Sequence, residues 1–99
     1  MRPKQYRKIC GSPESRCFNP VGVSADKLQE LILTMDEYEA IRLADLVGMY
    51  QDEAAYSMGI SRQTFGRIIE SARLKIADAI VNMKAIRIED VRTDINNKI

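Results

Sequence analysis

The second half of the chain keeps apolar residues at helical spacing over its longest stretch. From Arg62 onward they recur every three or four residues for about five turns, the period of one helix face. The stripe consists of Phe65, Ile68, Ile69, Ala72, Ile76, Ala79, Ile80 and Met83. This spacing predicts one long helix, whose far half packs against something beyond the helix that precedes it.

A second helix is predicted from Thr34. The run Thr-Met-Asp-Glu from Thr34 to Glu37 is a capping box, in which the Glu37 carboxylate reaches back to the Thr34 amide. Behind this cap an apolar stripe continues toward Gly48 through Tyr38, Ile41, Leu43, Leu46 and Val47. The pattern predicts a helix that ends at Gly48.

A shorter helix is predicted ahead of Thr34. Ser24 is a typical N-cap residue, and Leu28, Leu31 and Ile32 follow it at helical spacing. The pattern predicts two or three helical turns.

The ends of the chain follow other patterns. All three prolines fall in the opening stretch, which predicts an extended arm and loop over residues 1–23, with one short strand near Tyr6 to Cys10. Residues 85–91 alternate apolar and polar side chains, which predicts a strand paired with the arm or with a second subunit. The helical domain then spans residues 24–89, and residues 90–99 form a frayed tail.

The run QDEAAYSMGISRQTFGRIIE from Gln51 to Glu70 fits a helix-turn-helix. Ala55 is small where the two helices cross, Gly59 permits the positive φ of a tight helical stop, and Ser61 is an N-cap for the second helix. The apolar seam consists of Ala54, Met58, Ile60, Phe65 and Ile68. The predicted fold is therefore mostly α, with a helix-turn-helix whose second helix enters a DNA major groove.

The outer face of that second helix supplies the candidate DNA contacts. Its side chains one turn apart, Glu70 among them, face the groove, and four positions are predicted to read bases: Arg62, Gln63, Gly66 and Arg67. Gly66 either permits close approach to DNA or lies at a close crossing with another protein segment. Predicted phosphate contacts are Ser61, Thr64, Arg73, Lys75 and the basic arm residues Arg2, Lys4, Arg7 and Lys8. For Ser61, capping alone is a sufficient explanation.

Charge is segregated along the chain, although the net charge is only +1. Residues 1–17 carry five basic and one acidic residue, residues 24–57 two basic and eight acidic, and residues 62–87 six basic and two acidic. DNA responds to the local potential of the face it meets, since more distant charges are screened beyond roughly 8 Å at physiological salt. Net charge near zero therefore does not exclude DNA binding.

Length and composition narrow the function classes. A chain of 99 residues forms one small domain, without room for a large enclosed active site. It contains no histidine, nucleophile motif or phosphate-binding loop, so no enzyme activity and no cofactor are expected. Apolar stretches broken by charge argue against a membrane span or a secretion signal, which predicts a cytoplasmic protein.

Two alternatives to a simple DNA reader stay open. Cys10 and Cys17 supply two thiolates, half of a tetrahedral zinc site, so the protein is alternatively a metal- or redox-responsive regulator. The acidic helix from Asp36 to Asp45 alternatively meets a protein partner such as RNA polymerase. Two half-sites multiply the specificity of one small reader, so a homodimer is expected in either case.

Three segments carry a family resemblance: RPKQYRKIC near the start, LILTMDEYEAIRLADLVGMYQDEAAYSMGISRQTFGRIIESARLKIADAIVN in the middle and KAIRIE after it. The chain resembles the DUF134 or UPF0251 family of predicted DNA-binding proteins, and its middle is similar to region 4 of bacterial sigma factors. The resemblance implies DNA binding through the helix-turn-helix, without specifying a target. The expected function is sequence-specific binding of double-stranded DNA by a transcription regulator. Met83 stands where members often have glycine, and Glu89-Asp90-Val91 replaces a typical Glu-Gly-Gly.

Overall fold

The fold is seen in a computed structural model of the chain, which describes residues 16–89. Three α-helices and a small sheet make up this part, so the prediction of a mostly helical fold is confirmed. The helices are α1 (Met35–Ile41), α2 (Gln51–Met58) and α3 (Arg62–Asn82), and the strands are β1 (Cys17–Phe18), β2 (Glu30–Leu33) and β3 (Ala85–Ile88). A 3-10 turn covers Ala25–Lys27, and α1 continues as a π-helical segment over Arg42–Val47.

The sheet has the order β1-β3-β2, with β3 antiparallel to β1 and parallel to β2. Ile86 of β3 lies opposite both Leu31 and Phe18. The predicted C-terminal strand is confirmed, and both of its partners come from the same chain. The strand predicted near Tyr6 to Cys10 lies outside the described residues.

The helix predicted from Ser24 is wrong, because only Ala25–Lys27 turns and β2 follows it. In β2 burial alternates, with Leu33 buried and Ile32 exposed. A short run containing leucine and isoleucine is compatible with both helical and strand periodicity. Here the pairing with β3 favours the strand.

Two groups of buried side chains form the core, and α3 contributes to both. The first group lies among the helices and consists of Ala40, Leu43, Ala54, Ala55, Phe65 and Ile69. The second lies between helices and sheet, where Leu33, Ala72 and Ile88 are packed with Tyr38 and Ile41. The far half of α3 therefore packs on the sheet; its long apolar stripe predicted a partner beyond the helix-turn-helix without identifying it.

Four side chains of the two long predicted stripes are exposed instead of buried. Leu46 is 80% exposed, and Val47, Ile80 and Met83 are also open to solvent. A π-helical turn advances each residue by a smaller rotation than an α-helical turn, so Leu46 and Val47 leave the face that Leu43 buries. The segment ends at Gly48, whose φ is 92°.

A network around Glu37 joins α1, α3 and β2. The Glu37 carboxylate is buried and accepts hydrogen bonds from Lys75 Nζ (2.8 Å), Ser71 Oγ (2.6 Å) and the Thr34 amide (2.9 Å). Lys75 Nζ also donates to the carbonyl of Ile32 in β2 at 2.7 Å. The predicted capping box is confirmed, and it holds the start of α1 against α3.

Candidate nucleic-acid interface

The connection between α2 and α3 is a tight turn built by Gly59 and Ser61. Gly59 has a φ of 72°, and its amide donates to carbonyls of the last turn of α2. Ser61 caps α3, because its Oγ accepts a hydrogen bond from the Thr64 amide at 3.0 Å. The same hydroxyl donates to Thr64 Oγ1 at 3.0 Å. The predicted stop and cap are both confirmed.

The crossing of α2 and α3 is packed as the seam predicts. Ala55 is 2% exposed, and Phe65 and Ile69 are the largest fully buried side chains of the described chain. Met58, Ile60 and Ile68 pack around them from partly buried positions. A helix pair fixed in this way holds the outer face of α3 in one orientation.

The outer face of the first turns of α3 presents Arg62, Gln63 and Arg67 to solvent. Gln51, the first residue of α2, lines a shallow concavity together with Arg62 and Gln63. The sequence prediction did not include Gln51 among the site residues. The sequence does indicate Gln51 as the first residue of the first reader helix, and that position could have identified it.

Arg62 and Arg67 differ from most other basic residues of the described chain. Neither guanidinium group makes a hydrogen bond or ion pair with any group in residues 16–89. By contrast, five other basic residues pair with carboxylates, as Arg42–Glu39, Arg73–Asp45, Lys75–Glu37, Lys84–Asp78 and Arg87–Glu30. The two reader arginines therefore keep all their donors available to a ligand.

Arg73 and Lys75, predicted to contact phosphate, are engaged inside the protein. Arg73 donates two hydrogen bonds to Asp45, at 3.0 and 2.6 Å, and these bonds hold the pKa of Asp45 below its usual range. Lys75 serves the network at Glu37. Ion pairing within the chain therefore accounts for both residues without DNA. The sequence alone does not reveal these pairs, because the partner carboxylates lie 28 and 38 residues earlier in the chain.

Gly66 lies half-buried on the same helix, one turn from Gln63. A Cβ atom added there would have Gln51 Oε1 as its nearest neighbour at 3.8 Å, an ordinary van der Waals contact. Its backbone is helical, without a positive φ. No crossing within the described chain therefore requires glycine at this position.

A family model described as "Protein of unknown function DUF134" matches residues 1–95. The chain belongs to the DUF134 family. Its relatives include UPF0251 proteins of Prosthecochloris aestuarii (56% identical over 88 residues, 89% of this chain and 57% of that protein) and of Aeromonas salmonicida (44% over 98 residues, 99% and 96%). A UPF0251 protein of Caldanaerobacter subterraneus is 54% identical over 88 residues, 89% of this chain and 75% of its own length.

This DUF134 chain therefore spans little more than half the length of the Prosthecochloris relative. No solved structure matches it.

The remaining predicted site residues of this DUF134 protein fall into two groups. Arg2, Lys4, Arg7, Lys8 and Cys10 lie outside the described residues, so their predicted roles are untested. Cys17 is described and lies half-buried in β1. Over residues 16–89 the structure contains no group of three or more cysteine or carboxylate side chains arranged for a metal ion.

Among the helices of the described residues, none combines the length and the apolar composition that a membrane span requires.

Proposed function

We propose that this protein binds double-stranded DNA in a sequence-specific manner through α2 and α3 and acts as a transcription regulator. One observation carries the proposal: the two basic side chains on the outer face of the second helix, Arg62 and Arg67, have no partner within residues 16–89. An unpaired guanidinium retains the two parallel donors that guanine O6 and N7 accept.

The surrounding groups suit the same role. Gln63 can both donate to and accept from adenine N6 and N7, and it is exposed beside Arg62. The amides in the first turn of α3 add the positive end of a helix dipole, which favours phosphate oxygens nearby. The hydroxyls of Ser61 and Thr64 lie in that turn, where they supply further phosphate contacts.

The experiment compares binding of selected duplexes by the wild-type protein and by Arg62→Ala and Arg67→Ala. Duplexes are first selected from a random pool with the wild-type protein, and affinities are then measured by fluorescence anisotropy. Each substitution is expected to lower affinity for the selected duplex by about 5- to 150-fold and to relax preference at one position.

Arg42→Ala is the matched control, because it removes one positive charge from an exposed ion pair outside the reader helices. It should leave the preferred sequence unchanged. If the double variant Arg62→Ala/Arg67→Ala binds the selected duplex like wild type, the groove contact does not exist.

We propose that the regulator binds as a homodimer. A single reader offers a small interface, and two-fold symmetry places two readers on half-sites about 34–36 Å apart. The selection experiment examines this directly: a dimer enriches inverted repeats separated by one helical turn, whereas a monomer enriches a single short site.

A further inference from the structure

Glu70 lies on the outer face of α3 that also carries Gln63 and Arg67, called the reading face below. An acidic side chain is unexpected there, because DNA phosphates repel it. Gln63, Arg67 and Glu70 follow one another at spacings of four and three residues, which places them on successive turns of one helix face. All three are exposed. The next position along this line is Leu74, which is 70% exposed and apolar. Glu70 is therefore the last polar side chain of the reading face.

Glu70 also has no partner in the described part of the chain, although arginines lie one turn away on both sides. Its carboxylate makes no hydrogen bond or ion pair with residues 16–89. Arg73, three residues later, bonds to Asp45 on the π-helical segment. Arg67, three residues earlier, stays unpaired. Both oxygens of Glu70 are thus free to accept hydrogen bonds from a ligand.

Building on the proposed function, we propose that Glu70 determines specificity by accepting a hydrogen bond from the N4 amino group of a cytosine. Cytosine N4 is the major-groove donor that carboxylates recognise. A carboxylate that reached only phosphates would weaken binding everywhere, whereas one that reaches cytosine weakens binding to all other bases. Glu70 therefore adds discrimination through attraction at one base and repulsion elsewhere.

The helix rise gives the distance between the base pairs that these residues read. Seven residues separate Gln63 from Glu70, which amounts to about 10 Å along the helix axis. Measured along the DNA axis that distance equals about three base-pair steps of 3.4 Å, and a helix inclined in the groove covers about two. The cytosine read by Glu70 should therefore lie about two to three base pairs from the position read by Gln63, with the position of Arg67 between them.

The test is selection from a random duplex pool by the wild-type protein and by Gln63→Ala, Arg67→Ala and Glu70→Gln. With Glu70→Gln, the preference for cytosine at one position is expected to change to adenine, because glutamine pairs with adenine N6 and N7. Discrimination at that position should change by about 5- to 150-fold. The substitution keeps the size of the side chain, and its exposed site preserves folding. Asp26→Asn, an equal charge change on the exposed 3-10 turn, should alter no position.

The outcomes separate the two proposals. If the wild-type protein selects no sequence at all, the proposed function itself fails. If it selects a site that Glu70→Gln leaves unchanged, the base-reading role of Glu70 is overturned and the proposed function stands. The role is also overturned if Glu70→Gln changes only the position that Arg67→Ala changes, because Glu70 would then act by holding Arg67.

Discussion

Gly66 shows how a single residue separates the demands of folding from those of binding. Glycine inside a helix costs about 1 kcal/mol relative to alanine, because its unfolded chain has more conformations to lose. The backbone here is helical, and a Cβ atom would meet only the end of the Gln51 side chain at 3.8 Å. Packing within residues 16–89 does not offset this cost, so we expect the compensation to come from a close approach to DNA.

We expect Gly66→Ala to raise the free energy of unfolding by up to about 1 kcal/mol, since alanine favours the helix and fits the space. The same substitution should lower affinity for the selected duplex by roughly tenfold, the scale of a single base-specific interaction. Urea unfolding and fluorescence anisotropy measure the two effects separately.

Ala77→Gly, further along α3, supplies the reverse control. It should lower stability by a similar amount and leave DNA affinity unchanged. A Gly66→Ala variant that is more stable and binds DNA as tightly as wild type would show that no close approach occurs there.

At this scale the sequence predicts residues whose partners are local. Ser61 bonds to Thr64 and Glu37 to Thr34, each three residues away, and both caps are recognisable in the sequence. The partners of Arg73 and Lys75 lie 28 and 38 residues earlier in the chain, so no local pattern reveals them. Both therefore resemble free basic side chains until the fold brings their carboxylates close.

At the level of elements, long periodic segments are predicted well and short ones poorly. The apolar stripe of α3 spans enough turns to exclude a strand, and its helix is confirmed. The four residues of β2 satisfy both periods, and their state depends on pairing with β3, more than 50 residues later in the chain. The pattern of apolar residues after Ile41 does not distinguish a π-helical segment from a continued α-helix, so the exposure of Leu46 was not predictable.

Glu37 links three of these elements, and its protonation should make their association sensitive to pH. Burial alone raises the pKa of its carboxyl, but hydrogen bonds from Lys75, Ser71 and the Thr34 amide outweigh burial and lower the pKa below its ordinary value of 4.5. A lowered pKa in the folded state means that the charged form stabilises the fold above about pH 4.5. This contribution is lost as pH falls through the folded-state pKa.

We therefore expect Glu37→Gln to reduce the free energy of unfolding at pH 7 by about 2 kcal/mol, the scale of hydrogen bonds to a buried charge. The difference from wild type should shrink as the pH falls below 4.5, because wild-type Glu37 then becomes protonated as well. Urea denaturation from pH 7 to pH 3 measures this difference in the free energy of unfolding.

Glu39→Gln is the control and should have little effect, because Glu39 forms an exposed pair with Arg42. A difference between wild type and Glu37→Gln that stays constant with pH would contradict the dependence of stability on the protonation of Glu37.

For the molecule as a whole, the fold redistributes the charge segregation seen in the sequence. The acidic stretch over residues 24–57 and the basic stretch over residues 62–87 are joined by the ion pairs Glu30–Arg87, Glu37–Lys75 and Asp45–Arg73. Much of the basic excess is thus neutralised inside the protein. Arg62 and Arg67 remain available on the reader, and the sequence places four more basic residues, Arg2, Lys4, Arg7 and Lys8, in the predicted arm.

The arm should therefore contribute affinity without contributing specificity. We expect the double variant Lys4→Ala/Arg7→Ala to weaken binding to all duplexes by the same factor. The slope of log affinity against log salt should become shallower by about 2, roughly one for each lysine or arginine that no longer neutralises a phosphate.

Fluorescence anisotropy over a series of salt concentrations gives both quantities. Lys27→Ala, an exposed charge on the 3-10 turn, is the control and should leave the slope unchanged. An unchanged slope in the double variant would exclude phosphate binding by these two residues.

The 21-residue helix α3 belongs to the reader at its N-terminal end and packs on the sheet further along its length. Ala72, where α3 packs on the sheet, lies ten residues from Arg62, a distance of about 15 Å at 1.5 Å per residue. Tilting the helix by about 10° at Ala72 therefore displaces its N-terminal end by about 3 Å, close to one base-pair step of about 3.4 Å. A small change at the sheet is thus large enough to disturb the register expected between the reader and the base pairs.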